Sequence, residues 1–221
     1  KVAGFIGAVA ADEIIFVPGA TYGLNLVVNA YFAPKIKASD VIVTTIMEHH
    51  SNLVPWQNLC QKTGARLVVV DVDDDGQINQ QQLQEALALK PLCLAITHVS
   101  NVLGVANPLA EIVKLAHDAG SLVVVDGAQA VGHIDVDVKA LNCDFYVFSG
   151  HKMYAPTGVG VVYAKKRLLE QMTPWVIGGG MVANVTIDKA DFLSPPDCFE
   201  AGTNNVVAIV GLSAAIDYIR Q

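Results

Sequence analysis

Lys152 stands at an odd place in the chain. The apolar run Phe145–Tyr146–Val147–Phe148 ends in Ser149 and Gly150, then His151 and Lys152 arrive together, and a turn built on Pro156 and Gly158 follows. A lysine partly withdrawn from water loses some preference for its charged form, and a neutral amine adds to carbonyl carbons. Asp126 ends a second apolar run, Leu122–Val123–Val124–Val125. A carboxylate there needs a cation or several hydrogen bonds, and a protonated pyridine nitrogen is such a cation. Gly19–Ala20–Thr21 opens a helical pattern whose first N–H groups and small hydroxyl suit a phosphate. Lysine, aspartate and phosphate cradle together describe pyridoxal phosphate (PLP). Taken singly, each has a plainer reading: a solvated loop lysine, an aspartate cap, an ordinary helix start.

The elements that must hold these residues alternate along the chain. Strand patterns fall at 40–46, 65–72, 92–99, 121–128 and 143–150, several of them continuous apolar runs that suit strands covered on both faces. Between them lie helical patterns. In the clearest, Asn107 to Ala119, Asn107 is expected to cap, Pro108 to take the first helical position and Gly120 to end the helix. A helix is expected after Gly19, a more exposed one at 80–87, and a last one from about Val206. Residues 159–164 follow Lys152 too closely for a helical crossover and are expected to form the one antiparallel strand. After Ala164, "VIGGGMVANV" and "SPPDCFEAGTNN" read as loops. Repeated β–α units imply a mainly parallel, doubly wound α/β sheet, whose ligands sit beyond the carboxyl ends of its strands. Glu48–His49–His50, Asn101, Asp126–Gln129 and Ser149–Lys152 all fall just past such ends.

Composition narrows the function classes. With 52% hydrophobic and 16% charged residues in 221, the chain can bury a substantial core. A formal charge of −7 without a basic cluster argues against a nucleic-acid partner. Four widely spaced cysteines form no C-x-x-C pair, which fits a reduced, cytoplasmic setting better than a disulfide framework. No apolar run reaches the ~18–20 residues of a membrane span. The opening "KVAGFIGAVAADEIIF" reads as a helix end followed by a strand, not as a targeting peptide. The adjacent histidines lack the spacing of a metal site, and no nucleotide-binding glycine motif is present.

"DGAQA" (126–130) and "SGHKMYAPTG" (149–158) resemble the PLP site of class-V aminotransferase-fold enzymes, a fold type I α/β scaffold. "MEHHSNLVPW" (47–56), "ITHVSNVLG" (96–104), "NCDFYVFSGHK" (142–152) and "FEAGT" (199–203) narrow the resemblance to group II cysteine desulfurases, a set that includes selenocysteine lyases. The resemblance implies Lys152 as the Schiff-base lysine, Asp126 on the pyridine nitrogen and Gln129 on the ring's phenolic oxygen. It implies that His49 stacks on the ring and moves protons. Thr21, Ser149 and His151 would hold the phosphate, with Ala20 offering only its backbone N–H where many relatives carry a hydroxyl. Asn101 would lie near the substrate carboxylate or ring oxygen. Thr203 would reach the cofactor of a neighbouring subunit, implying a homodimer with shared sites. The implied activity takes sulfur from L-cysteine, leaving L-alanine and an enzyme persulfide that serves iron–sulfur cluster assembly or another sulfur acceptor. Selenocysteine lyase and class-V aminotransferase chemistry are the enzymatic alternatives.

One departure limits the resemblance. The family's persulfide cysteine lies beyond "FEAGT", and none of Cys60, Cys93, Cys143 and Cys198 matches it. Residues 1–221 are therefore expected to be a partial PLP-binding large domain, with an N-terminal segment, the small C-terminal domain and the carboxylate-binding arginine lying outside it. On that expectation the chain holds the cofactor but does not complete desulfuration. It would act by itself as a cofactor-binding or dimerisation module.

Overall fold

The computed structural model describes residues 1–221. Nine strands run in chain order as β1 (Ile14–Val17), β2 (Val41–Thr45), β3 (Arg66–Val70), β4 (Cys93–Thr97), β5 (Leu122–Asp126), β6 (Phe145–Ser149), β7 (Gly160–Ala164), β8 (Val182–Val185) and β9 (Ala190–Phe192). The helices are α1 (Val2–Phe5), α2 (Ala20–Val27), α3 (His50–Thr63), α4 (Gln80–Ala88), α5 (Leu109–Asp118), α6 (Val138–Leu141), α7 (Lys166–Leu169) and α8 (Val206–Ile219). Seven strands form one sheet in the order β1-β7-β6-β5-β4-β2-β3. From β6 to β3 neighbours are parallel, while β7 runs antiparallel to both β6 and β1.

Both faces of the sheet are covered, and alternation along the strands sorts the side chains. Val123, Val125, Tyr146, Phe148, Val161 and Tyr163 join the core under α5 and α8. Val124, Phe145, Val147, Val162 and Ala164 join the opposite core under α2 and α3. That double burial is why β5, β6 and β7 read as unbroken apolar runs. Chain order reverses direction between β2 and β4: β3 lies outward of β2 on one side, and β4, β5 and β6 step away on the other. Such a reversal opens a crevice at the carboxyl ends of the two strands.

Two local expectations are corrected. Asn107 does not cap α5. Its amide donates to the Thr97 carbonyl at 2.8 Å, Pro108 takes the cap position without a side-chain bond, and only Gly120, at φ +82°, ends the helix as expected. Part of "VIGGGMVANV" is not loop, since Val182–Val185 pairs with β9 as an exposed two-stranded hairpin. Its apolar residues have no core to face, so no burial pattern marked it.

Candidate functional site

The parallel strands and β1 all point their carboxyl ends to one edge. Along that edge stand Gly19–Thr21 beyond β1, Glu48–His50 beyond β2, Asp126–Gln129 at β5 and Ser149–Lys152 at β6.

The first wall of the site joins β6 to α2. The buried Ser149 Oγ accepts the Ala20 N–H at 2.7 Å. This contact leaves the serine's own proton free to donate. The amides of Thr21 and Tyr22 take no backbone partner, as expected of the first turn of a helix. Gly160 makes the approach possible: a Cβ there would sit 2.6 Å from the Gly19 Cα. A cavity of about 510 Å³ opens against this helix start, lined by Gly19, Ala20, Thr21, Asn25, Ser149, His151 and the aromatic pair Tyr22–Trp175.

The second wall carries the charges. Asp126 is 4% exposed, and its Oδ1 accepts the Ala128 N–H at 2.9 Å, leaving Oδ2 for another donor. Burial raises its pKa, and the Ala128 hydrogen bond, Lys152 and His49 work against that rise in descending order. Lys152 and His49 are thus the side chains within electrostatic reach of the one carboxylate that favour its charge. Behind Asp126 the backbone is packed close, since a Cβ on Gly127 would fall 2.0 Å from the Tyr146 ring. Tyr146 is held in turn by His98 Nδ1 at 2.9 Å from its hydroxyl. Burial pushes that histidine down to about 4, so it pairs as a neutral ring.

His49 caps α3, its Nδ1 accepting the Ser51 N–H at 3.1 Å and lying 3.0 Å from the Ser51 hydroxyl. Ser51 Oγ in turn lies 2.7 Å from Thr21 Oγ1, so the start of α2 and the start of α3 share a hydroxyl bridge. His50 is the first residue of α3 and exposed, its ring 5.8 Å from that of His49.

The other expected residues are placed less tightly. Gln129 is half-buried just past Asp126, and Asn101 is exposed in a turn after β4. Thr203 is exposed and lines an adjoining cavity of about 350 Å³ with Phe16, Gly158, Glu200 and Asn204. Its loop is fastened by Glu200, whose carboxylate accepts the Phe16 N–H at 2.8 Å and the Asn204 amide. Ser51, Trp175 and the Glu200 latch were not singled out from sequence. A serine two residues after His49 is the only prior signal for the first, and Trp175 sits where the periodicity had already loosened.

The Aminotransferase class-V profile matches residues 1–221. A cysteine desulfurase of Enterobacter sp. is 51% identical over 99% of this chain and 54% of its own length. The solved structure of the Escherichia coli cysteine desulfurase CsdA superposes with a TM-score of 0.96 at 41% identity, covering 100% of this chain and 55% of that one. The cysteine desulfurase of Thermococcus onnurineus follows at 0.95 and 41%, covering 99% and 54%. The chain thus spans about half the length of the curated relatives it matches. A variant of C-DES described with glycine covalently linked to its PLP cofactor shares the fold at a TM-score of 0.86 and 23% identity over 99% of this chain and 58% of that one. A family match running from the first residue to the last, on the same mixed sheet, leaves one conclusion: this chain belongs to the class-V aminotransferase family.

Proposed function

We propose that the chain holds PLP at the carboxyl edge of its sheet and forms the cofactor-binding part of a cysteine desulfurase. The observation that carries this is the placement of Asp126 and Lys152 past the ends of neighbouring parallel strands, within electrostatic reach of each other, with Asp126 Oδ2 left free. The donor set fits the group. A buried carboxylate waits for a cationic ring N–H, an amine follows one strand over, and a helix start with a free hydroxyl proton faces a cavity large enough for a phosphate.

When bound, PLP supplies an electron-withdrawing ring that stabilises negative charge developing at the substrate Cα. The chain's residues do the rest. Asp126 would hold the ring's pyridine N–H, and Lys152 would supply both the amine that anchors the aldehyde and the base for the substrate Cα proton. His49 would lie by the ring as a second acid–base group. Ser149, the Thr21 and Tyr22 amides and His151 would surround the phosphate, whereas the Ala20 N–H expected there is already donated to Ser149 Oγ; Gln129 and Asn101 would serve the ring oxygen and the substrate carboxylate. Thr203, on the loop that Glu200 fastens to β1, would serve the site of a second copy of the chain. The substrate is L-cysteine, with selenocysteine the nearest alternative, and the sulfur leaves for an acceptor protein. Four unpaired cysteines fit a reduced compartment.

A specific observation favours a second reading for residues 1–221 alone. All four thiols are buried, and burial pushes Cys143 to about 12 and Cys198 to about 11. A thiol held protonated does not attack sulfur, so the chain by itself is a PLP-binding and dimerisation module. The test is hydride trapping. Chain incubated with PLP and reduced with borohydride is expected to gain the phosphopyridoxyl mass on the peptide containing Lys152, and Lys152→Ala to gain none. A label spread over surface lysines, or none in the wild type, sinks the reading.

A further inference from the structure

We infer that Glu48 is a positioning residue for this site: its carboxyl clamps the loop that carries His49 to the ends of β2 and β4, beside Asp126. The inference rests on the PLP reading for its purpose, though not for its geometry. Glu48 is 7% exposed and follows β2 at the point where strand order reverses. Its Oε1 accepts the Thr97 N–H at 2.9 Å and meets Thr45 Oγ1 at 2.7 Å. Its Oε2 accepts from Asn52 Nδ2 at 2.7 Å. The three partners come from β4, β2 and α3, so one carboxyl joins three elements across the crevice.

The polarity of this clamp is fixed from its far end. The Trp56 indole can only donate, and it donates to Asn52 Oδ1 at 3.3 Å. The Asn52 amide must therefore turn its nitrogen to Glu48, and Oε2 must accept. His49 lies between Glu48 and Asn52, the two residues that this side chain ties together, and its carbonyl accepts the Asn52 N–H at 2.8 Å. The stretch carrying His49 is closed into a ring by Glu48 itself.

Two buried carboxyls share this edge, and their surroundings push them apart. Asp126 has Lys152 and His49 to favour its charge. The charged group acting on Glu48 is Asp126, which is negative, while Thr45, Asn52 and Thr97 are uncharged; burial first and that aspartate last push Glu48 to about 8. The proton resides on Glu48, and Thr45 is the one partner able to accept it, because the other two must donate. At neutral pH the clamp is neutral, while at Asp126 the Ala128 hydrogen bond, Lys152 and His49 work against the rise that burial imposes. Above pH 8 the clamp itself becomes negative, next to His49.

The test uses the whole chain, without and with PLP. By NMR of the cofactor-free chain, the Trp56 indole N–H and the His49 ring are expected to show a step centred near pH 8. Glu48→Gln removes the step, and Glu48→Ala shifts the His49 ring signals at every pH. In the PLP-loaded protein, Glu48→Ala weakens PLP binding about tenfold, and Glu48→Gln flattens the pH profile of the cofactor's absorbance near the same point. Should Glu48→Ala not fold, Asn52→Ala opens the same ring and carries the same readout. A step that survives in Glu48→Gln, or a His49 ring indifferent to the opened clamp, overturns the inference. Expected resonances in a wild-type chain that takes up no PLP overturn the proposed function and leave the clamp standing. PLP uptake with unmoved resonances does the reverse.

Discussion

The Ser149 hydroxyl accepts the Ala20 amide across 2.7 Å and so ties the end of β6 to the first residue of α2. The bond leaves the hydroxyl's own hydrogen free to donate, and Ser149 lines the cavity beside Thr21. Ser149→Ala leaves the buried amide without its partner, a cost of about 1–3 kcal/mol. Thermal melting of the variant is expected to fall by several degrees. PLP affinity is expected to drop about tenfold, while affinity for pyridoxal, which has no phosphate, changes little. Equal losses for the two ligands would remove Ser149 from the phosphate site.

Gly127 lies against Tyr146 so closely that an added Cβ would meet two ring carbons and the hydroxyl oxygen between 2.0 and 2.4 Å away. The ring has no room to yield, being fully buried and bonded to His98. Gly127→Ala is expected to destabilise the chain by about 3 kcal/mol or more in urea unfolding. Tyr146→Ala costs a similar amount through its cavity, ~3–5 kcal/mol. The double variant is expected to lose clearly less than the sum, because the second change removes the atoms that the first one strikes. Strict additivity would mean that the strain lies elsewhere.

The same packing explains what was legible in the sequence. β5 and β6 were readable because both of their faces are buried, and Asp126 and Lys152 stood out as charges at the ends of such runs. The edge on which they gather followed from the β–α alternation alone. Pairings across the crossovers were not readable. Glu48 showed only as a polar residue past a strand, because its partners Thr45, Asn52 and Thr97 are brought together by folding. Asn107 has the composition and position of a cap, yet the open Thr97 carbonyl competes for its amide and wins. The β8–β9 hairpin escaped notice for the opposite reason: it packs on nothing that would impose alternation.

The four thiols allow a chemical check of the second reading. Cys60, Cys93, Cys143 and Cys198 are all buried, and burial raises the pKa of each. Alkylation by iodoacetamide at pH 8 is expected to be slow in the folded chain and fast in urea, where the thiols return to about 8.5. With PLP and L-cysteine, the chain is expected to form at most traces of alanine. Rapid labelling of Cys198 in the folded chain, with sustained alanine production, would make that residue the nucleophile.

Stability against pH separates Glu48 from His98. The folded state holds the Glu48 proton until about pH 8, whereas the unfolded chain releases it near the usual 4.5. The folded state therefore binds more protons between those values, and stability falls as pH rises through the window. His98 acts with the opposite sign. It stays neutral when folded down to about pH 4, while the unfolded chain protonates it below 6.5, so its contribution is lost as pH falls from 6.5 to 4. The two slopes oppose each other between 4.5 and 6.5, and Glu48 acts alone between 6.5 and 8. In that upper window wild-type unfolding free energy is expected to decline, by roughly 1–2 kcal/mol in all. Glu48→Gln is expected to flatten the decline there and to steepen the rise between 4.5 and 6.5, where His98 is left unopposed. A variant that keeps the upper slope would place the responsible proton on another group.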